Sequence, residues 1–82
     1  MAPRLRRLSA REVLAALRSF GFEIVATRGS HAKLRRVTPD GVTQTLTVPL
    51  HKDLDVGTVR AIYRQATRFI PEDELSPSFH GK

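Results

Sequence analysis

A histidine surrounded by positive charge is the first feature of this 82-residue chain that could do chemistry. His31 follows a Gly-Ser pair in the segment RGSHAKLRR, residues 28–36. The same segment contains four cations: Arg28, Lys33, Arg35 and Arg36. Three interpretations compete: a turn followed by a solvated strand, a phosphate-binding patch, or a catalytic base among phosphate-binding cations. An imidazole titrates near neutral pH, so it could accept the proton of a ribose 2′-OH during phosphodiester cleavage.

The residues around His31 each have a structural and a functional interpretation. Gly29 and Ser30 form either a plain turn or a turn whose N–H groups approach a phosphate. The cations are either a solvated face or contacts to an RNA backbone, and Lys33, on the same strand face as His31, is placed best to offset charge on a phosphorane. Neighbouring side chains of an extended strand diverge, which argues against Ser30 and His31 as a nucleophile pair.

The remaining polar candidates are weaker. His51 lies between Pro49 and a second predicted helix, where it could bond locally, contact RNA, or supply the acid that a single catalytic histidine lacks. Asp53 and Asp55 are expected to cap that helix. The histidines lack metal-ligand spacing and an accompanying carboxylate cluster, so we expect no metal and no cofactor. The chain has no cysteine, which excludes disulfides, Cys-based zinc sites and a thiol nucleophile.

The charge balance favours an anionic partner. The formal net charge is +6, and residues 1–70 hold 13 of the 14 Lys and Arg but five of the eight Asp and Glu. A basic single domain of this size most often binds RNA or DNA. The basic opening is not followed by an apolar run, so we expect no secretory signal, no membrane span and a cytoplasmic location.

Local signals predict two helices and three strands. A capping box at Ser9 and Glu12 begins a helix over residues 10–20, which Gly21 ends. Alternation predicts strands over residues 22–27, 31–37 and 42–48, separated by turns at Arg28-Gly29-Ser30 and Pro39-Asp40-Gly41. A second helix follows Asp55, with an apolar stripe of Val59, Ile62, Tyr63 and Ala66. Residues 71–75 are predicted as a short turn.

This order predicts an α+β fold, α-β-β-β-α, in which a three-stranded antiparallel sheet has both helices on one face. Ala32 and Leu34 would then face the helices, while His31, Lys33 and Arg35 would face solvent. We assign residues 1–75 to a single domain and residues 76–82 to a C-terminal tail.

Two segments of the chain, LSAREVLAALRSFGFEIVATRGSH and VPLHKDLDVGTVRAIYRQA, resemble the HicA toxins of bacterial and archaeal toxin–antitoxin pairs. The resemblance covers roughly residues 8–66. Its specific parts occur in order along the chain: Gly21-Phe22, Gly29-Ser30-His31, Val48-Pro49-Leu50-His51 and Gly57-Thr58. The end of the second helix departs from the family, since Thr67-Arg68-Phe69 stands where a glycine is common.

The resemblance implies a fold similar to a double-stranded-RNA-binding domain, a small ribonuclease that cleaves mRNA, and a HicB-like antitoxin partner. The family's catalytic histidine falls on His31. We therefore expect a metal-independent mRNA endoribonuclease. Its RNA-binding residues would be Arg28, Gly29, Ser30, Lys33, Arg35 and His51. The alternatives are a non-catalytic RNA-binding module of the same fold, and a basic structural protein of a ribonucleoprotein particle.

Overall fold

The computed structural model describes residues 5–80, which form three strands between one helix and a pair of helices. In chain order the elements are α1 (Ala10–Ser19), β1 (Glu23–Arg28), β2 (His31–Val37), β3 (Thr43–Pro49), α2 (Val56–Ala66) and α3 (Glu72–Phe79). The first five confirm the predicted order; β2 has its predicted boundaries, and β1 and β3 are shifted by one residue. The third helix is additional.

The three strands form one antiparallel sheet in the order β1-β2-β3, so β2 is the central strand. His31, the first residue of β2, lies opposite Arg28 of β1 and Pro49 of β3. The third strand was predicted to end at residue 48, but Pro49 is its last residue. An edge strand tolerates a proline, and the Leu50 N–H donates to the Ser30 carbonyl just beyond it.

Both ends of α1 and the start of α2 follow from local sequence. The Ser9 hydroxyl accepts from the Glu12 N–H at 3.1 Å, and the Glu12 carboxylate accepts from the Ser9 N–H at 3.0 Å, which completes the capping box. Gly21 then takes a φ of +95°, a left-handed conformation that favours glycine. At the start of α2 the Asp55 carboxylate accepts from the Thr58 N–H at 2.7 Å.

The helices pack on one face of the sheet and leave the other face open. α1 and α2 both contact β3, and α3 contacts both helices. The core between these layers includes Val13, Leu17, Leu34, Leu46 and Ile62, each at most 2% exposed. Because alternate strand residues point to opposite faces, the open face is formed by the odd-numbered residues of β2.

The C-terminal part of the chain corrects the predicted turn and tail. Residues 71–75 and the first four residues of the predicted tail contain α3, whose Leu75 and Phe79 are fully buried. The Phe79 ring packs 5.4 Å from the Tyr63 ring. The sequence did not predict this helix because it contains Pro77, and a proline inside a helix removes a backbone hydrogen bond. Residues 81 and 82, the end of the predicted tail, lie outside the described residues.

The architecture is thus the expected α+β fold, similar to a double-stranded-RNA-binding domain with one further helix. The described helices are all too short to cross a membrane.

Candidate functional site

His31 lies at the end of the sheet, directly after a two-residue turn. Gly29 occupies the first central position of that turn with a φ of +57°, the pattern of a type II′ hairpin. A Cβ at Gly29 would meet no atom within 4 Å, so this position needs glycine for its backbone conformation and not for space. The turn thereby presents His31 at the rim of the open face, where its side chain is exposed.

The open face brings three of the predicted cations near His31. Arg28 is its cross-strand partner on β1, and Lys33 follows it on the same face of β2. A depression of about 530 Å³, here called the His31 pocket, is lined by Ala26, Thr27, Arg28, His31, Ala32, Lys33 and Thr47. Arg35 lies one step further along this face, outside the pocket and opposite Glu23. We call the exposed surface of Arg28, His31, Lys33 and Arg35 the basic face.

The small neighbours of Lys33 keep its charge accessible. Lys33 lies opposite Ala26 on one side and Thr47 on the other, so no bulky side chain stands directly across from it. Ala26, Thr27 and Thr47 were absent from the sequence-based site. Their place in it depends on the cross-strand register, including an irregularity between Ile24 and Ala26, which single-strand alternation does not reveal.

Ser30 is closer to His31 than the sequence suggested. The Ser30 Oγ lies 3.5 Å from the His31 Nδ1, the outer limit of a hydrogen bond. The expectation that the two side chains diverge was wrong because Ser30 belongs to the turn, where strand alternation does not apply. A contact at Nδ1 leaves Nε2 of the ring available to a substrate.

Arg36 does not belong to the basic face. Its side chain is on the helix side of the sheet, half-buried, where its guanidinium lies 4.8 Å from the centre of the Phe22 ring. It donates to the Phe20 carbonyl at 2.9 Å, the Phe69 carbonyl at 3.0 Å and the Gln44 Oε1 at 2.8 Å. Arg36 therefore joins the end of α1 and the turn between α2 and α3 to the sheet, and the interpretation of Arg36 as an RNA contact was wrong.

His51 lines a different depression from His31. It is exposed in the loop between β3 and α2, and its carbonyl accepts from the Ala10 N–H at 3.2 Å. The cleft beside it, here called the Leu50 cleft, has a volume of about 580 Å³ and is lined by Ser9, Ala10, Arg11, Leu14, Leu50, His51 and Lys52. The structure thus gives His51 no place in the His31 pocket.

His80 takes part in a separate polar cluster at the end of α3. The Ser76 Oγ is 2.8 Å from its Nδ1, and its ring packs edge-on against Tyr63. The Tyr63 hydroxyl donates to the Glu72 carboxylate at 3.1 Å. Burial, followed by this hydrogen bond, raises the pKa of Tyr63 above its ordinary value.

Two acidic residues near the helix starts accept hydrogen bonds from backbone N–H groups. The pKa of Asp55 is lowered, chiefly because its carboxylate accepts from the Thr58 N–H. The pKa of Glu12 is lowered in the same way by the Ser9 N–H. Asp55 is the cap that the sequence predicted, whereas Asp53 makes no such cap. Across residues 5–80, no group of three or more His, Cys, Asp or Glu residues is arranged to hold a metal ion.

Comparison with known proteins identifies the family. A family model described as the HicA toxin of bacterial toxin–antitoxin systems matches residues 10–67, which is more than half of the chain and includes the whole sheet. No curated protein matched the sequence. The matched region contains the Gly29-Ser30-His31 turn, the basic face and the start of the second helix. This chain therefore belongs to the HicA toxin family of bacterial toxin–antitoxin systems.

Proposed function

We propose that this toxin is a metal-independent endoribonuclease that cleaves mRNA, with His31 as its catalytic base. The observation that carries the proposal is the His31 pocket, in which an exposed imidazole stands between Arg28 and Lys33 at the rim of an open sheet face. The imidazole is the side chain best suited to proton transfer near neutral pH. The adjacent cations supply the positive charge that a reacting phosphate requires.

In the proposed reaction, the RNA backbone lies along the basic face with its scissile phosphate between Arg28 and Lys33. His31 accepts the proton of the ribose 2′-OH, and the 2′-oxygen attacks the phosphorus. The bond from phosphorus to the 5′-oxygen then breaks, which leaves a 2′,3′-cyclic phosphate and a 5′-hydroxyl. Water, which has free access to this face, protonates the leaving oxygen. The protein's cations offset the negative charge that develops on the phosphorane.

The remaining predicted RNA contacts extend this site. Gly29 and Ser30 would offer backbone N–H groups of the turn to a phosphate. Arg35 would hold the backbone further along the face. His51, in the loop after β3, would contact RNA outside the pocket.

The family implies an antitoxin partner. We propose that it resembles HicB and acts by covering the basic face, and that both proteins act in the cytoplasm, where mRNA is found. A second candidate function, a non-catalytic RNA-binding module, uses the same basic face. It differs only in giving His31 a binding role.

The test compares His31→Ala with Lys33→Ala. Losing a general base should slow cleavage of an RNA oligonucleotide roughly 10²–10⁴-fold. It should leave the salt dependence of RNA binding unchanged. Lys33→Ala should weaken binding and reduce the slope of log affinity against log salt by about 0.7. Both side chains are exposed, so circular dichroism should show the wild-type fold for each variant.

A folded His31→Ala protein that cleaves RNA at the wild-type rate would refute the catalytic role. If the wild type binds RNA without cleaving it, and both variants lose affinity equally, the binding-module function holds instead. Inducing the wild type without an antitoxin should arrest growth and deplete mRNA, and inducing His31→Ala should do neither.

A further inference from the structure

The Leu50 cleft is a second site that the proposed reaction does not use. Its floor is aliphatic, made by Ala10, Leu14 and Leu50, and Leu50 is 36% exposed. Its rim carries Arg11, His51 and Lys52, all exposed. An aliphatic floor beneath a cationic rim suits a ligand that combines one apolar group with negative charge.

Three backbone hydrogen bonds fix the loop that forms one wall of this cleft. The Leu50 N–H donates to the Ser30 carbonyl, the Ala10 N–H to the His51 carbonyl, and the Leu54 N–H to the Leu8 carbonyl. The loop is thus held at its start, middle and end, to the sheet, to α1 and to the segment before α1. A cleft held open in this way exists before its ligand arrives, which lowers the entropic cost of binding.

We propose that the Leu50 cleft anchors the antitoxin by accepting one large aliphatic side chain from an acidic segment. The cations on the rim would pair with carboxylates on either side of that side chain.

The composition of the cleft favours a protein segment over RNA. Proteins that take unpaired bases usually stack them on aromatic rings or arginine planes. The lining contains no Phe, Tyr or Trp, and the two groups that could stack a base, Arg11 and His51, lie on the rim and not on the floor. An aliphatic floor instead matches a leucine or isoleucine side chain, whose burial is favourable in proportion to its apolar area.

The position of the cleft explains how such an anchor would silence the toxin. Pro49 lies opposite His31, and the next residue, Leu50, bonds to the residue before His31. A segment seated on Leu50 lies on the helix side of the sheet, at the end where β2 begins, and would pass around that end to reach the His31 pocket on the open face. The choice of an antitoxin as occupant rests on the proposed toxin function, whereas the chemistry of the cleft does not.

The test is a titration of ¹⁵N-labelled protein with a synthetic peptide, acetyl-Asp-Glu-Leu-Glu-Asp-amide, followed by amide chemical shifts. We expect shifts concentrated at Leu14, Leu50 and Lys52. Replacing the central leucine of the peptide with alanine should weaken binding about tenfold, because most of the buried apolar area is lost. Leu50→Ser should weaken binding to a similar extent. The matched control is Val42→Ser, which removes an exposed apolar side chain from the far hairpin and should leave binding unchanged.

Several outcomes would overturn the proposal. They are the absence of shifts at millimolar peptide, equal affinity for the leucine and alanine peptides, and a shift of the Leu14 amide, on the floor of the cleft, by a single-stranded RNA oligonucleotide in place of the peptide. RNA cleavage is measured separately, and Leu50→Ser should retain it. A wild-type protein that cleaves RNA but does not bind the peptide would refute only the anchor, whereas a wild-type protein that binds the peptide but does not cleave RNA would refute only the nuclease.

Discussion

Replacing Arg36 with alanine should destabilise the protein without directly affecting its RNA contacts. Arg36 and Arg35 are neighbours in sequence, yet β2 directs them to opposite faces. Arg35 is exposed on the basic face, whereas the Arg36 guanidinium is fixed by three hydrogen bonds and by the Phe22 ring. Arg36→Ala and Arg35→Ala make the same chemical change on opposite faces. Comparing the two variants therefore separates the effect on folding stability from the effect on RNA binding.

The size of the effect follows from the contacts that are lost. A hydrogen bond from a charged donor contributes about 1.5–3 kcal/mol when buried, so about 1 kcal/mol for each half-buried bond of Arg36 is a moderate value. The contact with Phe22 adds about 0.5–1 kcal/mol. The sum of roughly 3.5–4 kcal/mol corresponds to a fall in melting temperature of about 14–32 °C for a domain of this size. The exposed Arg35→Ala should change stability by less than about 0.5 kcal/mol.

Urea denaturation followed by circular dichroism measures the free energy of unfolding of each variant, and RNA affinity is measured at a temperature where both are folded. We expect Arg36→Ala to be destabilised with near-normal RNA affinity, and Arg35→Ala to show the reverse. The reasoning fails if Arg36→Ala unfolds at the same urea concentration as the wild type. It also fails if folded Arg36→Ala loses RNA affinity as Arg35→Ala does.

Three further predictions concern the reaction and the C-terminal helix. Cleavage should persist in EDTA, and activity that is lost in EDTA and restored by magnesium would contradict the metal-independent mechanism. A 2′-deoxy substitution at the cut position should stop cleavage while the oligonucleotide still binds. Phe79→Ala should cost about 3–5 kcal/mol of folding free energy, because it empties a fully buried site, whereas Ser78→Ala should cost far less in the same urea assay. The raised pKa of Tyr63 means that its neutral form stabilises the folded state below about pH 10, and that this contribution is lost as pH rises through the folded pKa. Urea midpoints between pH 8 and 11 should therefore fall more steeply for the wild type than for Tyr63→Phe.

The parts of the fold that the sequence predicted correctly are those with local causes. The capping box at Ser9 and Glu12, the left-handed Gly21 and the Asp55 cap each act within four residues, so a short window contains the whole signal. Strand alternation likewise assigned the two faces of β2 before the helices were placed. α3 was missed because its helical spacing of Leu75 and Phe79 is short and contains Pro77.

The site was predicted as a set of residues but not as an arrangement. Strand alternation separates Arg36 from Arg35 by face, but the run of cations does not reveal the partners of Arg36, which include the Phe20 and Phe69 carbonyls, 16 and 33 residues away. Similarly, the pairing of Arg28 with His31 needs the hairpin register. The contact of Ser30 with His31 depends on the turn geometry, which the strand rule does not describe.

The two faces of β2 have different roles, one in folding and one in the proposed activity, and this affects how the toxin is controlled. Ala32 and Leu34 are fully buried, and Arg36 bonds to the Phe20 and Phe69 carbonyls. The side chains on the helix side of the strand therefore stabilise the fold. His31 and Lys33 are on the opposite, open side, which no helix of the described chain covers. A domain built in this way has no described element of its own with which to close its basic face. We expect control of the proposed activity to come from another molecule, in keeping with the antitoxin partner that the family implies. A partner fixed at the Leu50 cleft could reach His31 without disturbing the core, so the toxin would stay folded while inhibited.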